Sequence, residues 1–149
     1  MNPRGDGQGA SGGEAGAGRS TSVVVSLDVD GTMEFGEPPG PVTVEVVRML
    51  VAAGHVVGCA SDRTRTDQTE TWAGHGVALA FVGGKHHLDD VRARFPADRY
   101  VHVGDTHVDE HFADMHGFEF VGVDDPTAAL GVLRSIAGPA SESDGPPLP

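Results

Sequence analysis

The sequence predicts one α/β domain in which about five parallel strands form a central sheet with helices on both faces. Short apolar runs alternate with segments of helical periodicity five times along the chain. Each predicted strand is followed by a predicted helix, which is the arrangement of parallel strands joined by right-handed crossovers. Without its two ends, the 149-residue chain is still long enough for one hydrophobic core. The expected architecture is therefore a three-layer sandwich.

The individual elements follow from local composition, in chain order. The first strand is an apolar run that contains Val23, Val24 and Val25, and the later strands are short runs of the same kind. Pro41 and Pro126 suit the first turn of a helix, where the missing amide costs no hydrogen bond. We expect strands at residues 23–28, 55–60, 78–82, 99–103 and 119–123, and helices at residues 42–53, 66–74, 87–94, 108–116 and 126–136.

The two ends of the chain are predicted to be disordered. Residues 1–20 and 139–149 are rich in Gly, Ser, Ala and Pro and nearly free of large apolar side chains. Such segments bury too little apolar surface to offset the entropy that is lost on ordering. The folded domain is therefore expected to span residues 21–138.

Charge and cysteine content narrow the classes of partner and compartment. The chain has 22 acidic and 10 basic residues and a net charge of −12, so a nucleic-acid backbone is not the expected partner. We expect no membrane association, because no apolar stretch approaches the length of a membrane span and no apolar signal core is present. The single cysteine, Cys59, lies in an apolar run and is expected to be a buried residue in a reducing cytosol. These features predict a cytoplasmic protein.

Polar side chains lie where the predicted strands end. Asp28 and Asp30 close the first strand, and strand residues two apart start on the same face. Two carboxylates, a hydroxyl, one amine and a second acidic pair are the groups needed to hold a divalent cation and to move a phosphoryl group. Ligands of an open parallel sheet bind outside the carboxyl ends of the strands, so these groups are expected to meet in one crevice. The set comprises Asp28-Val29-Asp30-Gly31-Thr32, Ser61-Asp62, Lys85 and Gly104-Asp105-Thr106-His107-Val108-Asp109.

The order and spacing of these residues resemble those of the haloacid-dehalogenase-like (HAD) phosphohydrolase superfamily, from about residue 23 to residue 123. The resemblance implies a Rossmann-like fold and an Mg²⁺-dependent phosphatase that forms an aspartyl-phosphate. It implies that Asp28 is the nucleophile and that Asp30 is the general acid/base, whose backbone carbonyl also binds the metal. Gly31 would turn the chain off the strand, the amides of Asp30 and Gly31 would bind phosphoryl oxygens, and Thr32 would steady the loop.

The later motifs complete the site that the resemblance implies. Ser61 and the adjacent Asp62 would bind the substrate at its phosphoryl group, and Lys85 would offset the negative charge of the nucleophile. Asp105 would bind Mg²⁺ directly, and Asp109 would support the metal through a second contact or a water. Two alternatives remain open, because Ser61 also suits a helix cap and Lys85, the only lysine of the chain, also suits an unused surface position.

The gaps between the motifs are too short for a cap domain. Residues 32–42 form a Gly/Pro-rich connection, and residues 61–85 hold little beyond one helix and one strand. The chain therefore resembles the capless HAD class, whose active site is open. The expected substrate is a phosphorylated small molecule or an exposed phosphate on a macromolecule, and a homo-oligomer is one way to cover such a site.

Two other functions remain open. A response-regulator receiver also combines Asp, Ser/Thr, Lys and Mg²⁺ on a parallel α/β sheet, but its phospho-accepting Asp follows a mid-chain strand. A catalytically weak protein of the HAD fold that binds a partner is the other alternative. Four histidines with ligand-like spacing are expected at the surface or beside the acidic motif rather than as metal ligands: His86, His87, His107 and His111.

Overall fold

The computed structural model describes residues 21–138, and both predicted tails lie outside them. None of the helices in this range combines the length and hydropathy needed to cross a bilayer. The strands are β1 (Val23–Leu27), β2 (Val56–Ala60), β3 (Val82–Gly83), β4 (Arg99–Gly104) and β5 (Glu119–Gly122). The helices are α1 (Val44–Ala52), α2 (Arg65–Gly74), α3 (Leu88–Arg94), α4 (His107–Met115) and α5 (Pro126–Ala137), and a 3₁₀ turn at Lys85–His87 leads into α3.

All five strands are parallel and lie in the order β3–β2–β1–β4–β5. The first strand in the sequence, β1, is at the centre of the sheet. Strands β2 and β3 lie on one side of it, and β4 and β5 lie on the other. The predicted α/β sandwich with a five-stranded parallel sheet is therefore confirmed. The strand order therefore reverses between β1 and β4, and a crevice is expected at the carboxyl ends of these two strands.

Apolar clusters cover both faces of the sheet. One cluster joins Leu27 of β1 to Val47 of α1 and Leu133 of α5. The other joins Val24 of β1 to Leu88 of α3 and to residues of α4. Successive residues of a strand point to opposite faces, so β1 contributes to both clusters and is buried along its whole length. This burial fixes the position of the residue that follows β1.

The third strand is shorter than predicted. The prediction covered residues 78–82, whereas β3 comprises only Val82 and Gly83. The preceding segment makes separate hydrogen bonds to β2, from the Ala80 amide to the Val57 carbonyl (2.8 Å) and from the Cys59 amide to the Phe81 carbonyl (3.0 Å). Apolar composition does not distinguish such an irregular edge segment from a continuous ladder.

The connection between β1 and α1 is a compact loop. Helix α1 starts two residues later than predicted, because Thr43 is its N-cap and accepts a hydrogen bond from the Val46 amide (3.2 Å). Val42 instead forms an isolated bridge with Met33, which closes the loop. Within the described residues, no helix or strand interrupts this loop, and α2 is the only helix between β2 and β3.

Candidate active site

The predicted site residues lie together at the carboxyl edge of the sheet. Asp28 directly follows β1, and Asp105 directly follows β4. The two residues therefore lie on the two sides of the point where the strand order reverses. Ser61 directly follows β2, and Lys85 follows β3 after one glycine. A cleft of about 240 Å³ is lined by residues from all four of these segments, among them Asp28, Asp62, Lys85 and Asp105. The folding of one sheet therefore brings together groups that are up to 81 residues apart.

Two glycines allow the acidic loops to approach each other closely. Gly31 has a φ of +77°, and a Cβ at this position would collide with the carboxylate of Asp105. A Cβ on Gly104 would collide with the carboxylate of Asp109. The glycines in both motifs are therefore required by the close packing of carboxylates against backbone, and Gly31 also makes the sharp turn that the sequence predicts.

Three carboxylates form the centre of the site. Asp28, Asp105 and Asp109 each offer an oxygen, and these oxygens lie within 4.8 Å of one another. Asp28 is only 5% exposed. Burial, followed by the nearby negative charge of Asp109, raises the pKa of Asp28 from 3.8 to about 7, although the Lys85 ammonium opposes this shift. The Asp28 carboxylate is thus held in a position where its ionised form needs further positive charge.

Lys85 supplies part of that charge. Its Nζ lies 3.1 Å from Asp109 Oδ1, 3.7 Å from Asp28 Oδ1 and 3.9 Å from Asp62 Oδ2. The residue is only 5% exposed, so it does not occupy a surface position. Burial alone would lower the pKa of the Lys85 ammonium, but Asp28 and Asp109 outweigh burial and raise that pKa. The chain's only lysine is therefore a buried cation between two carboxylates.

Asp109 is the most fully bonded of the carboxylates. Its Oδ2 accepts hydrogen bonds from the amides of Asp105 and Thr106 (3.2 Å each) and from Thr106 Oγ1 (3.0 Å), which completes a capping box at the start of α4. Its Oδ1 lies within 2.8 Å of His102 Nε2 and 3.1 Å of Lys85 Nζ. Burial alone would raise the pKa of Asp109, but His102 and Lys85 lower it to about 2. Both oxygens of Asp109 are therefore already engaged by donors from the protein.

Asp30 lies beside this centre and is held by an arginine. Arg63 Nη2 donates to Asp30 Oδ1 (2.7 Å) and Arg63 Nε to Asp30 Oδ2 (3.2 Å), while the Glu37 amide also donates to Oδ1 (2.8 Å). The hydrogen bond from Arg63 is the main cause that lowers the pKa of Asp30. The Asp30 side chain remains 40% exposed, so it faces the solvent at the mouth of the site.

The backbone around Gly31 is only partly free to bind an anion. The Gly31 amide donates to the Pro38 carbonyl (2.6 Å), so this amide is occupied in contrast to the expectation from the sequence. No acceptor within residues 21–138 takes the Asp30 amide, which leaves it available. Thr32 is fully buried, and its Oγ1 donates to Asp28 Oδ2 (3.4 Å). Thr32 therefore contacts the predicted nucleophile directly.

The residues after β2 approach the site from the other side. Ser61 is buried, and its Oγ accepts a hydrogen bond from the Arg63 amide (2.9 Å). The N-cap of α2 is Thr64, so the alternative of Ser61 as the helix cap is not observed. The Asp62 side chain is 87% exposed and points towards Lys85 at the rim. Ser61 thus keeps its hydroxyl proton for another acceptor.

Sequence reasoning missed His102 as a neighbour of the site. His102 is a fully buried histidine within β4, and it directly faces Ser26 of β1 in the register of the sheet. A polar residue in an otherwise apolar buried strand was the available signal. The four histidines with ligand-like spacing, His86, His87, His107 and His111, are all exposed, as predicted.

Comparison of the chain with protein-family models, with curated proteins and with solved structures finds no match. The functional interpretation therefore depends on the residues of this chain, on their geometry and on the motif resemblance.

Proposed function

We propose that this protein is an Mg²⁺-dependent phosphomonoester hydrolase of the HAD type that forms an aspartyl-phosphate on Asp28. The main supporting observation is the buried Asp28 carboxylate at the reversal point of the sheet, with Lys85 Nζ 3.7 Å away and Asp105 beside it. Because the pKa of Asp28 is raised to about 7, its surroundings destabilise the ionised form of the carboxylate, and a bound cation would stabilise that form.

The donor set fits a hard divalent cation. Carboxylate and carbonyl oxygens are the ligands that Mg²⁺ prefers; Asp28 and Asp105 present carboxylate oxygens within 4.8 Å of each other, and Asp30 lines the same cleft. A bound Mg²⁺ would offset charge on the transferring phosphoryl group and keep Asp28 ionised at neutral pH. Asp109, which lies behind these groups, would hold the loop that carries Asp105.

The reaction would proceed in two steps. In the first step, an Asp28 oxygen bonds to phosphorus while the bond from phosphorus to the leaving oxygen breaks, and Asp30 gives its proton to that oxygen. In the second step, Asp30 takes a proton from water, the water oxygen bonds to phosphorus, and Asp28 is released. Lys85 stays in place throughout and balances the charge on Asp28 and the phosphoryl oxygens.

The strand order argues against the receiver-like alternative. Receivers have the flavodoxin-like order 2-1-3-4-5, whereas this sheet has the order 3-2-1-4-5. The proposed phospho-accepting residue follows the first strand, and a second carboxylate, Asp30, lies beside it. A catalytically weak binding protein of the same fold is the remaining alternative, and only turnover distinguishes it.

The substrate class follows from the open cleft. The connections after β1 and β2 hold no folded insertion that would cover the site within residues 21–138. We therefore propose a phosphate ester that is either small or exposed on a larger molecule. A cytoplasmic location and a homo-oligomer that covers the cleft remain predictions from the sequence.

Release of inorganic phosphate tests this function. The full chain is assayed with p-nitrophenyl phosphate and with panels of metabolites, nucleotides and phosphopeptides, with Mg²⁺ and then with a chelator. We expect Mg²⁺-dependent turnover that Asp28→Asn abolishes, while Asp114→Asn, which removes an exposed carboxylate of α4, leaves turnover unchanged. No phosphate release across the panels would count against the proposal, and activity that resists the chelator would contradict the role of the metal.

A further inference from the structure

A buried chain of hydrogen bonds connects the interior of the sheet to the proposed site. Ser26 Oγ lies 2.9 Å from His102 Nδ1, and His102 Nε2 lies 2.8 Å from Asp109 Oδ1. The same oxygen of Asp109 lies 3.1 Å from Lys85 Nζ, which in turn lies 3.7 Å from Asp28 Oδ1. All five side chains are nearly or completely buried.

The direction of the central hydrogen bond follows from the other contacts of Asp109. Oδ2 of Asp109 accepts three hydrogen bonds, and Oδ1 lies 3.1 Å from the Lys85 ammonium, so the carboxylate acts as an acceptor. His102 Nε2 must therefore carry a proton and donate it to Asp109. Nδ1 either accepts from the Ser26 hydroxyl or donates to Ser26 Oγ, and both arrangements fix the orientation of the ring.

The order Ser, His, Asp also occurs in the catalytic triads of hydrolases, but these three residues do not form one. Ser26, His102 and Asp109 are each 0% exposed, so no substrate reaches the Ser26 hydroxyl. This series of hydrogen bonds and ion pairs instead reaches the cleft at Lys85 and Asp28, which both line it.

We propose that His102 is a positioning residue that places the Lys85 ammonium next to Asp28. This inference rests on the proposed function of the site. Lysine has a flexible stem and a point charge, so its position depends on its partners. Asp109 is the nearest of these partners, and its Oδ1 is shared between Lys85 and His102. Without the imidazole, Lys85 would be the only donor to that oxygen and would move towards Asp109 and away from Asp28.

Two substitutions of His102 separate positioning from simple core packing. The amide nitrogen of a glutamine reaches about as far as Nε2, whereas that of an asparagine reaches about as far as Nδ1. His102→Gln can therefore still donate to Asp109, while His102→Asn keeps only the contact with Ser26. Both variants place an amide in the same buried position, so a purely structural role would affect them similarly.

Lys85 is the only lysine of the chain, which makes it directly observable. In the full protein labelled with ¹⁵N-lysine, NMR gives one side-chain ammonium signal, and its shift and exchange rate report the surroundings of Nζ. This measurement needs no substrate. We expect the wild-type signal in His102→Gln and a shifted, faster-exchanging signal in His102→Asn.

The kinetic effect should follow the same order. With p-nitrophenyl phosphate, we expect His102→Asn to lower kcat by about 10- to 100-fold with little change in KM, because a small displacement of a charged group costs this much. His102→Gln should recover most of that loss. His55→Gln is the matched control, because His55 also makes two hydrogen bonds, to the Val23 amide and the Ile136 carbonyl, but lies at the opposite end of the sheet. It should leave the Lys85 signal and kcat unchanged.

The outcomes separate this inference from the proposed function. An unchanged Lys85 signal in folded His102→Asn would overturn the positioning role even if the protein is an active phosphatase. A displaced signal would support the role even if no ester is hydrolysed. If His102→Asn does not fold, His102→Gln decides, because its amide nitrogen can still donate to Asp109. A wild-type Lys85 signal in folded His102→Gln supports the proposal, and a displaced signal would refute it.

Discussion

Replacing Asp28 by asparagine should abolish turnover and, at alkaline pH, make the protein more stable. The substitution keeps the volume of the side chain and removes a carboxylate that is only 5% exposed. Burial and the neighbouring Asp109 raise the pKa of Asp28 from 3.8 to about 7. The native state therefore opposes ionisation at this position, and an asparagine avoids that cost.

The magnitude follows from the pKa. The rise from 3.8 to about 7 corresponds to about 4 kcal/mol of unfavourable free energy when Asp28 is fully ionised. This figure already includes the attraction to Lys85, and because a buried site relaxes around a charge, we expect a net gain of about 2–4 kcal/mol in the free energy of unfolding. For a domain of this size, such a gain raises Tm by roughly 10 °C.

The pH dependence has a defined sign. Because the folded-state pKa is raised, the native state binds more protons than the unfolded state between about pH 4 and pH 7. The contribution of Asp28 to stability is therefore present below pH 4 and is lost as the pH rises through about 7. Asparagine does not ionise, so Asp28→Asn does not lose this stability. The free energy of unfolding of the variant should therefore increasingly exceed that of wild type as the pH rises from about 4 to 7.

Thermal or denaturant unfolding with a chelator at pH 5 and pH 8 measures this difference. Asp62→Asn is the control, because it removes the same charge from an 87% exposed side chain of the same site and should change stability little. The reasoning would be refuted if Asp28→Asn were less stable than wild type at pH 8, or if the difference did not depend on pH.

Three further predictions concern the charges around Asp28. Lys85→Ala should lower the free energy of unfolding by about 3–5 kcal/mol in denaturant titration, because two buried carboxylates lose their cation, and wild-type stability would contradict this account. Lys85→Arg keeps the positive charge and should therefore retain part of the activity. Arg63→Gln should raise the pKa of Asp30 and move the alkaline limb of the kcat–pH profile to higher pH, whereas an unshifted profile would refute Asp30 as the acid. Mg²⁺ at 100 times its Kd should stabilise wild type by about 2.7 kcal/mol in thermal unfolding at pH 8, and equal stabilisation of Asp28→Asn would argue against Asp28 as a ligand.

The sequence predicted the sheet and the convergence of the motifs because both depend on local patterns. Apolar runs that end in Asp28, Ser61 or Asp105 mark strand ends, and the carboxyl ends of parallel strands share one edge. The turn at Gly31 was also predicted from the sequence, and the positive φ of Gly31 confirms it. These features need no knowledge of contacts between distant segments.

The remaining features depend on contacts that local patterns do not show. The burial of Lys85 results from its position between carboxylates of two other segments, and the sequence around Lys85 does not show this. The proposed role of His102 depends on its contacts with Ser26 of the neighbouring β1 and with Asp109 of α4. The irregular edge before β3 is likewise set by how the chain meets β2, and not by its apolar composition.

The most direct test of the central claim is to trap the phosphorylated enzyme. p-Nitrophenolate leaves with little need of a proton, whereas water must be deprotonated in the second step, so Asp30→Asn should form the aspartyl-phosphate but hydrolyse it slowly. We predict that mass spectrometry of this variant, quenched in acid after mixing with p-nitrophenyl phosphate and Mg²⁺, finds one phosphoryl group on Asp28. Wild-type protein that releases phosphate while Asp30→Asn carries no phosphoryl group on Asp28, or carries it on another residue, would contradict the account.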